Sequence, residues 1–387
     1  MDPARAPIVV IAPNSFKGSL SAVDAANAIA AGLRRVWPGA VLRIRPMADG
    51  GDGTLDAVLS AGGERRKARV SGAAGQRIDV AYGLIARDTA VIESAQVVGL
   101  TDAAAVAHPV EERTTRGLGE LIAVLLDAGV KRFLIGLGGS STNDGGAGLM
   151  AALGLKLLDD SGRAVEPTPA GLASLSRVDN REIDPRLAHA SFTILSDVDN
   201  PLCGERGATA IFGPQKGVRA DSIRAIDATL ARFASLTESA LRRNAKDRPG
   251  AGAAGGLGFA LLLLGGELRS GAEVVADLLH LDAALDGADW LITGEGRSDR
   301  QTLLGKAPFV AAKHARAHGV PVTLLSGGID RAALPELSRV FAGCESIVFG
   351  PSTIEACVGD AADLMTDRAE QLGRLFAAAA AHRINCG

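Results

Sequence analysis

The apolar positions at the start of the chain set the pattern. Residues 8–12, Ile-Val-Val-Ile-Ala, form an unbroken β-branched run. Without alternation, such a run predicts a strand buried on both faces. A polar loop follows over 13–19. Val23, Ala26, Ala30, Leu33 and Trp37 then recur at steps of three and four, the spacing of an amphipathic helix. Ser21, with Asp24 three residues on, gives the helix a start of the capping-box kind, and Pro38-Gly39 stops it. Residues 41–44 read as the next strand, ending in Met47-Ala48-Asp49-Gly50-Gly51-Asp52-Gly53-Thr54. The same grammar returns late in the chain: a strand at 290–293 runs into Gly294-Glu295-Gly296-Arg297, and a helix over 307–318 ends at Gly319. Strands follow at 322–325 and 346–349, then a final helix from about 355 past Arg374. β-α-β order at both ends predicts an α/β fold in which the two ends of the chain share one open parallel sheet.

The middle differs. Arg65, Arg66, Lys67 and Arg69 form a basic cluster best read as a solvated strand edge. Short alternating strands, strands at 133–137 and 192–195, and several glycine-rich loops follow. The expected division is residues 1–64 plus 286–387 as a discontinuous domain and 65–285 as a second α/β domain inserted in it. The active site is expected in the cleft between them.

Composition narrows the function classes. The chain has 387 residues, a net charge of −3 and 3% aromatics, which gives no footprint for nucleic acid or an anionic membrane. The longest apolar runs, 259–264 and 375–381, fall far short of the ~20 residues of a membrane span. The N-terminal residues lack an apolar stretch of signal-peptide length, so the expected location is cytoplasmic. Cys203, Cys344, Cys357 and Cys386 are scattered, without CxxC spacing, which fits a reducing compartment and no zinc site.

Candidate chemistry sits on loops. The densest signal is 133–146, where an apolar strand feeds Gly138-Gly139-Ser140-Ser141-Thr142-Asn143-Asp144-Gly145-Gly146 ahead of a helix start. Backbone N–H groups and hydroxyls in such a loop suit phosphate oxygens, so Gly138, Gly139, Ser140, Ser141 and Asn143 are expected phosphate ligands. Asp144 is the candidate Mg²⁺ ligand. Gly250 to Gly255 spells G-x-G-x-x-G, but Arg248-Pro249 precedes it where a dinucleotide fold needs a strand. Phosphate contact by Gly252 and Gly255, or close packing, are the two readings. A Walker A motif and the protein-kinase motifs are absent from the sequence. Lys17, Lys216, Arg297 and Lys306 lie on glycine-flanked loops near Asp49, Asp52, Asp197, Asp199, Glu295 and Asp299. Cations for phosphates, carboxylates for Mg²⁺ and one base are the parts phosphoryl transfer needs.

At this point the residues resemble the type 1 glycerate kinases. The matching segments are APNSFKGSLSA (12–22), ADGGDGT (48–54), GLGGSSTNDGGAG (136–148), DVDNPLCGERGA (197–208), IFGPQKG (211–217), PGAGAAGGLG (249–258) and TGEGRSDRQTLLGK (293–306). The resemblance implies two α/β domains, one of them flavodoxin-like. It implies ATP-dependent phosphorylation of D-glycerate, with the 2-hydroxyl as acceptor and Mg²⁺ as cofactor. Asp197, Asp49 and Lys17 are the expected catalytic group, with Asp197, just past the 192–195 strand, engaging the attacking hydroxyl. Asp199, two residues on, would face the same side and hold Mg²⁺. Arg297, Asn14, Ser15 and Lys306 are expected to bind the substrate, with Lys17 sharing the hold on its carboxylate. Three departures stand out: Asn14 replaces the family's usual Asp, Arg113 enters a threonine-rich run followed by Gly117-Leu118-Gly119, and Ser94 replaces a common Met.

The alternatives are transfer to give 3-phosphoglycerate, another small hydroxy acid as substrate, and a kinase of the galactokinase–homoserine kinase kind. Outside kinases they are an NAD(P)-dependent oxidoreductase using Gly250–Gly255 and a non-catalytic hydroxy-acid sensor. Whether the chain is a monomer or a homo-oligomer stays open at this stage.

Overall fold

The computed structural model describes residues 6–385, with side chains through 379; Cys386 lies outside the described residues. The chain divides into two compact units. One comprises the chain up to Asp49, Asp56–Gly62 and the chain from Ala272 onward; the other comprises Gly50–Leu55 and Gly63–Gly271.

The first unit is built on five parallel strands, in the order Gly343–Ser346, Val322–Ser326, Trp290–Thr293, Ile8–Ile11, Val41–Ile44. Numbered along the chain this is 2-1-3-4-5, the flavodoxin-like order. Its core joins Val9, Ile11, Trp290 and Ile292 to Ile29 and Leu33 of the Ala22–Val36 helix and Met365 of the Ala361–Asn385 helix. The first helix is capped as read: Ser21 Oγ accepts from the Asp24 N–H at 3.0 Å. The Asp24 carboxylate, however, takes the Ser21 hydroxyl (2.6 Å). These helices approach closely because Gly32 faces the Thr366 carbonyl, where a Cβ would collide.

Two elements differ from expectation. The strand placed at 346–349 is Gly343–Ser346. Ile347 turns into the core, while Phe349 is exposed and stacks under the Arg368 guanidinium. The final helix is two: Ile354–Gly359, then Ala361–Asn385. The Gly271–Leu278 and Leu281–Leu285 helices are joined to Ala307–Ala317 through His314, whose ring nitrogens meet Asp282 (2.7 Å) and Glu273 (3.0 Å).

The second unit carries a six-stranded mixed sheet. Glu267–Arg269, Ser191–Leu195, Arg132–Gly136 and Thr89–Glu93 run parallel; Arg77–Ala86 and Glu64–Ser71 continue antiparallel. The basic run 65–69 is the outer edge strand and is largely exposed, as a charged edge that blocks further pairing should be. Phe133 stacks on Phe192, with ring centroids 5.1 Å apart, inside this unit's core. Among the described residues no helix is long and apolar enough to cross a membrane.

Candidate active site

In a 2-1-3-4-5 sheet, the strand order reverses between the first and third strands, and the loops beyond their C-terminal ends part there to leave a crevice. In the first unit those strands are Ile8–Ile11 and Trp290–Thr293. Their loops are held in register: the Asn14 N–H donates to the Gly294 carbonyl (2.8 Å) and the Thr293 hydroxyl to the Ala12 carbonyl (2.7 Å). The next loop is zipped alongside, Arg297–Ser298 pairing with Gly328–Ile329. Gly294 permits this, since a Cβ there would run into the Leu325 carbonyl. The result is a cavity of about 940 Å³. Asn14, Ser15, Lys17, Asp49, Arg297 and Lys306 all line it, so six of the sequence candidates meet in one place.

Lys17 and Arg297 are exposed in this cavity, and Asp49 is half-buried. Asn14 is buried; its amide donates to Asp49 Oδ2 at 3.4 Å, and its carbonyl oxygen accepts the Ser15 N–H (2.7 Å). Glu295 also lines the cavity and is only 6% exposed. Its Oε1 accepts the hydroxyls of Thr302 (2.6 Å) and Ser298 (3.3 Å), and Oε2 lies 3.8 Å from Lys306 Nζ. Burial pushes this carboxyl above the usual range, opposed by the Thr302 bond and the Lys306 charge. Perturbed acids in clefts are candidates for proton transfer. Sequence reading counted Glu295 among the loop carboxylates without giving it a role. The signal was its place directly after a buried strand, but its burial was not visible.

The glycine-rich loop of the second unit is arranged differently. Ser140, Ser141, Asn143 and Asp144 are buried. Ser141 Oγ donates to the Val98 carbonyl (3.0 Å) and the Asn143 amide to Thr209 Oγ1 (2.9 Å). Lys216 Nζ donates to Ser140 Oγ (3.0 Å) and to the Thr142 carbonyl (2.8 Å). Burial lowers the Lys216 pKa to about 7, against the opposing pull of Asp144. The Asp144 carboxylate accepts the Thr115 N–H and hydroxyl (both 2.8 Å) and the Gly146 and Gly148 N–H groups. Four donors at a fully buried carboxylate tie the loop to the Arg116–Asp127 helix start. They fit a structural tether in place of the metal ligand expected from sequence. Arg113 is likewise buried, its guanidinium donating to the carbonyls of Ser141 and Lys216 among others. Only the loop's tip is accessible, with Gly138 half-buried and Gly139 exposed, beside the Asp52 carboxylate.

Gly252 and Gly255 favour the packing alternative. A Cβ on Gly255 would strike the Thr142 carbonyl, and one on Gly252 the Pro201 carbonyl. Turns, not a strand, precede them, which removes the dinucleotide-fold context. Asp197 is exposed just beyond the Ser191–Leu195 strand, at the place expected. Asp199 is exposed and ion-paired with Arg206 (3.3 Å). No group of three or more His, Cys, Asp or Glu poised for a metal occurs among the described residues. Mg²⁺ on a nucleotide needs only one or two protein carboxylates, the phosphates supplying the rest. Asp49, half-buried in the cavity, fits that requirement; Asp144 does not.

Comparisons with known proteins place the chain in a family. The model of the glycerate kinase family matches residues 9–377. A glycerate kinase of Bacillus subtilis (strain 168) is 42% identical over 374 residues, covering 94% of this chain and 96% of its own. A glycerate 2-kinase of Escherichia coli (strain K12) is 42% identical over 324 residues, with 83% and 85% covered. A crystal structure from Salmonella typhimurium LT2, bearing the name glycerate kinase 2, superposes with a TM-score of 0.86 at 39% identity, covering 97% of this chain and 99% of that one. The chain is an enzyme of the glycerate kinase family.

Proposed function

We propose that this enzyme transfers the γ-phosphoryl group of ATP to the 2-hydroxyl of D-glycerate, giving 2-phospho-D-glycerate and ADP. The observation that carries the reading is the cavity at the switch point of the first unit, where Lys17, Arg297 and Lys306 share the lining with Asp49 and Glu295. Cations offset the phosphates and the substrate carboxylate, and a carboxylate accepts the hydroxyl proton as the oxygen attacks phosphorus. The bond from phosphorus to the bridging oxygen of ADP breaks in the same transfer. Bound Mg²⁺ would neutralise charge developing on the phosphate oxygens, with Asp49 as the protein ligand.

For the proton acceptor, the observations favour Glu295 over Asp197. Glu295 is fixed by Thr302 and Ser298 and carries a raised pKa, which makes it a stronger base than an ordinary carboxylate. Asn14 positions Asp49 and cannot itself take a proton. In the second unit's glycine-rich loop Ser140, Ser141 and Asn143 are committed inside the protein, which leaves Gly138 and Gly139 as the part of that loop still open to a phosphate.

The test is ³¹P NMR of the product formed from ATP, Mg²⁺ and D-glycerate. A 2-phosphoglycerate signal is expected. A 3-phosphoglycerate signal would move the acceptor to the other hydroxyl, and turnover only with other hydroxy acids would replace the substrate.

A further inference from the structure

The cavity of the first unit is larger and more two-faced than glycerate requires. Glycerate is a three-carbon acid with a polar group on every carbon. A cavity of about 940 Å³ is at the upper end of the 300–1,000 Å³ or so that encloses a ligand of drug size. Opposite in character to its cations and carboxylates, Ile329, Val348, Pro351, Ile354 and Val358 give another part of the lining an apolar face. Two of these belong to the Ile354–Gly359 helix, which has no buried residue. Ile354 and Val358 are four positions apart, hence on one helix face, and are 78% and 40% exposed. Apolar side chains left uncovered inside a concave site are a binding signature.

We propose that this apolar wall is the seat of the donor nucleotide's purine ring, and that its phosphates reach the Lys17, Arg297 and Lys306 part of the same cavity. The inference rests on the ATP-dependent reading above. It places the nucleotide in the flavodoxin-like unit, whereas the motif pattern pointed to the buried glycine-rich loop of the other. An aromatic base needs apolar contact, which the wall supplies, and a triphosphate needs cations, which only the polar part of the cavity supplies.

The test uses the full-length enzyme and the neutral variants Ile354→Asn and Val358→Asn. Both residues are exposed, so neither change opens the core. Affinity for ADP and for inorganic pyrophosphate is read by calorimetry, and KM for ATP and for D-glycerate by steady-state rates. Each variant is expected to weaken ADP and raise the KM for ATP about tenfold, the loss of a partly buried aliphatic contact. Pyrophosphate affinity, the KM for glycerate and Tm should stay within experimental error. Unchanged ADP affinity in both variants overturns the proposal, as does equal weakening of ADP and pyrophosphate, or a rise in the glycerate KM alone. Because ADP binding is read without turnover, a wild-type protein that binds ADP through the wall yet leaves glycerate untouched would sink the acceptor assignment and not this one.

Discussion

The loops of the first-unit cavity and the Ser140–Asp144 loop of the second unit are made from the same residue types: glycines, hydroxyls, an amide, a carboxylate and a nearby lysine. In the first, Lys17 and Arg297 reach solvent and Asp49 is half-buried. In the second, Lys216, Arg113 and Asp144 are buried, and their polar atoms bond mainly to the protein's own backbone. Composition therefore does not separate a loop that receives a ligand from one that holds a fold together. The partner of each polar group does. In the first region removal of a charge should cost catalysis and spare stability; in the second the order should reverse.

The largest effect should come from Glu295→Gln. The amide keeps the shape but takes up no proton, and general-base help is typically worth about 10²–10⁴ in rate. kcat should fall in that range with little change in Tm, while Asp197→Asn stays within about tenfold of wild type. The opposite ranking would return the role of base to Asp197. In the wild type, the raised carboxyl must lose its proton to act, so kcat/KM should decline as pH falls through a value above the ordinary Glu range.

Next is Arg297→Ala, expected to cost about 2–4 kcal/mol in kcat/KM, as for truncating the partner of a bound anion. Its side chain is exposed in the cavity, so the melting temperature should not follow. Unchanged KM and kcat would take Arg297 out of the site.

Lys216→Met probes the other side of the comparison. The buried amine holds Ser140 and Thr142, and leaving their oxygens unpaired should cost about 1–3 kcal/mol of stability. A pH test sharpens this. The folded-state pKa, near 7, lies below that of an ordinary lysine, so the unfolded chain binds the extra proton between those values. The contribution of Lys216 to stability is then fully present above the unfolded pKa and is lost as pH falls through 7. The stability gap between wild type and Lys216→Met should widen over that window as pH rises; a constant gap would show that the amine titrates normally.

These contrasts also locate what the sequence could disclose. The unbroken apolar runs at 8–11 and 290–293 and the β-α-β order made the parallel sheet legible, because burial on both faces leaves a direct mark on residue type. The cavity residues Asn14, Ser15, Lys17, Asp49, Arg297 and Lys306 were legible for a related reason: loops that follow buried strands must lie at one edge of the sheet. Burial inside loops leaves no such mark. Asp144 read as a metal ligand because its four donors, the N–H groups of Thr115, Gly146 and Gly148 and the Thr115 hydroxyl, depend on the folded path of the chain. The 346–349 run read as a strand from its side chains, yet pairing with Val322–Ser326 ends at Ser346.

The smallest effect, and the finest test, is Asn14→Asp. Here the amide donates to Asp49 Oδ2 across 3.4 Å, a long bond whose loss alone costs little. The substitution does more than delete it, because it sets a second carboxylate against Asp49. Two unit charges at that separation repel by roughly 1 kcal/mol in bulk water and several-fold more at the lower effective dielectric of a protein site. The pair relieves this by keeping one proton to higher pH, so its titration belongs to both residues together. Activity at pH 8 should remain within about tenfold of wild type, since both charges can then face Mg²⁺ and phosphates rather than each other. Below neutrality the variant should lose kcat/KM at a higher pH than wild type does. Superimposable pH profiles would show that Asn14 and Asp49 are not coupled through the cavity. A thousandfold loss at every pH would show instead that the amide itself is needed, as the donor that keeps Asp49 aimed.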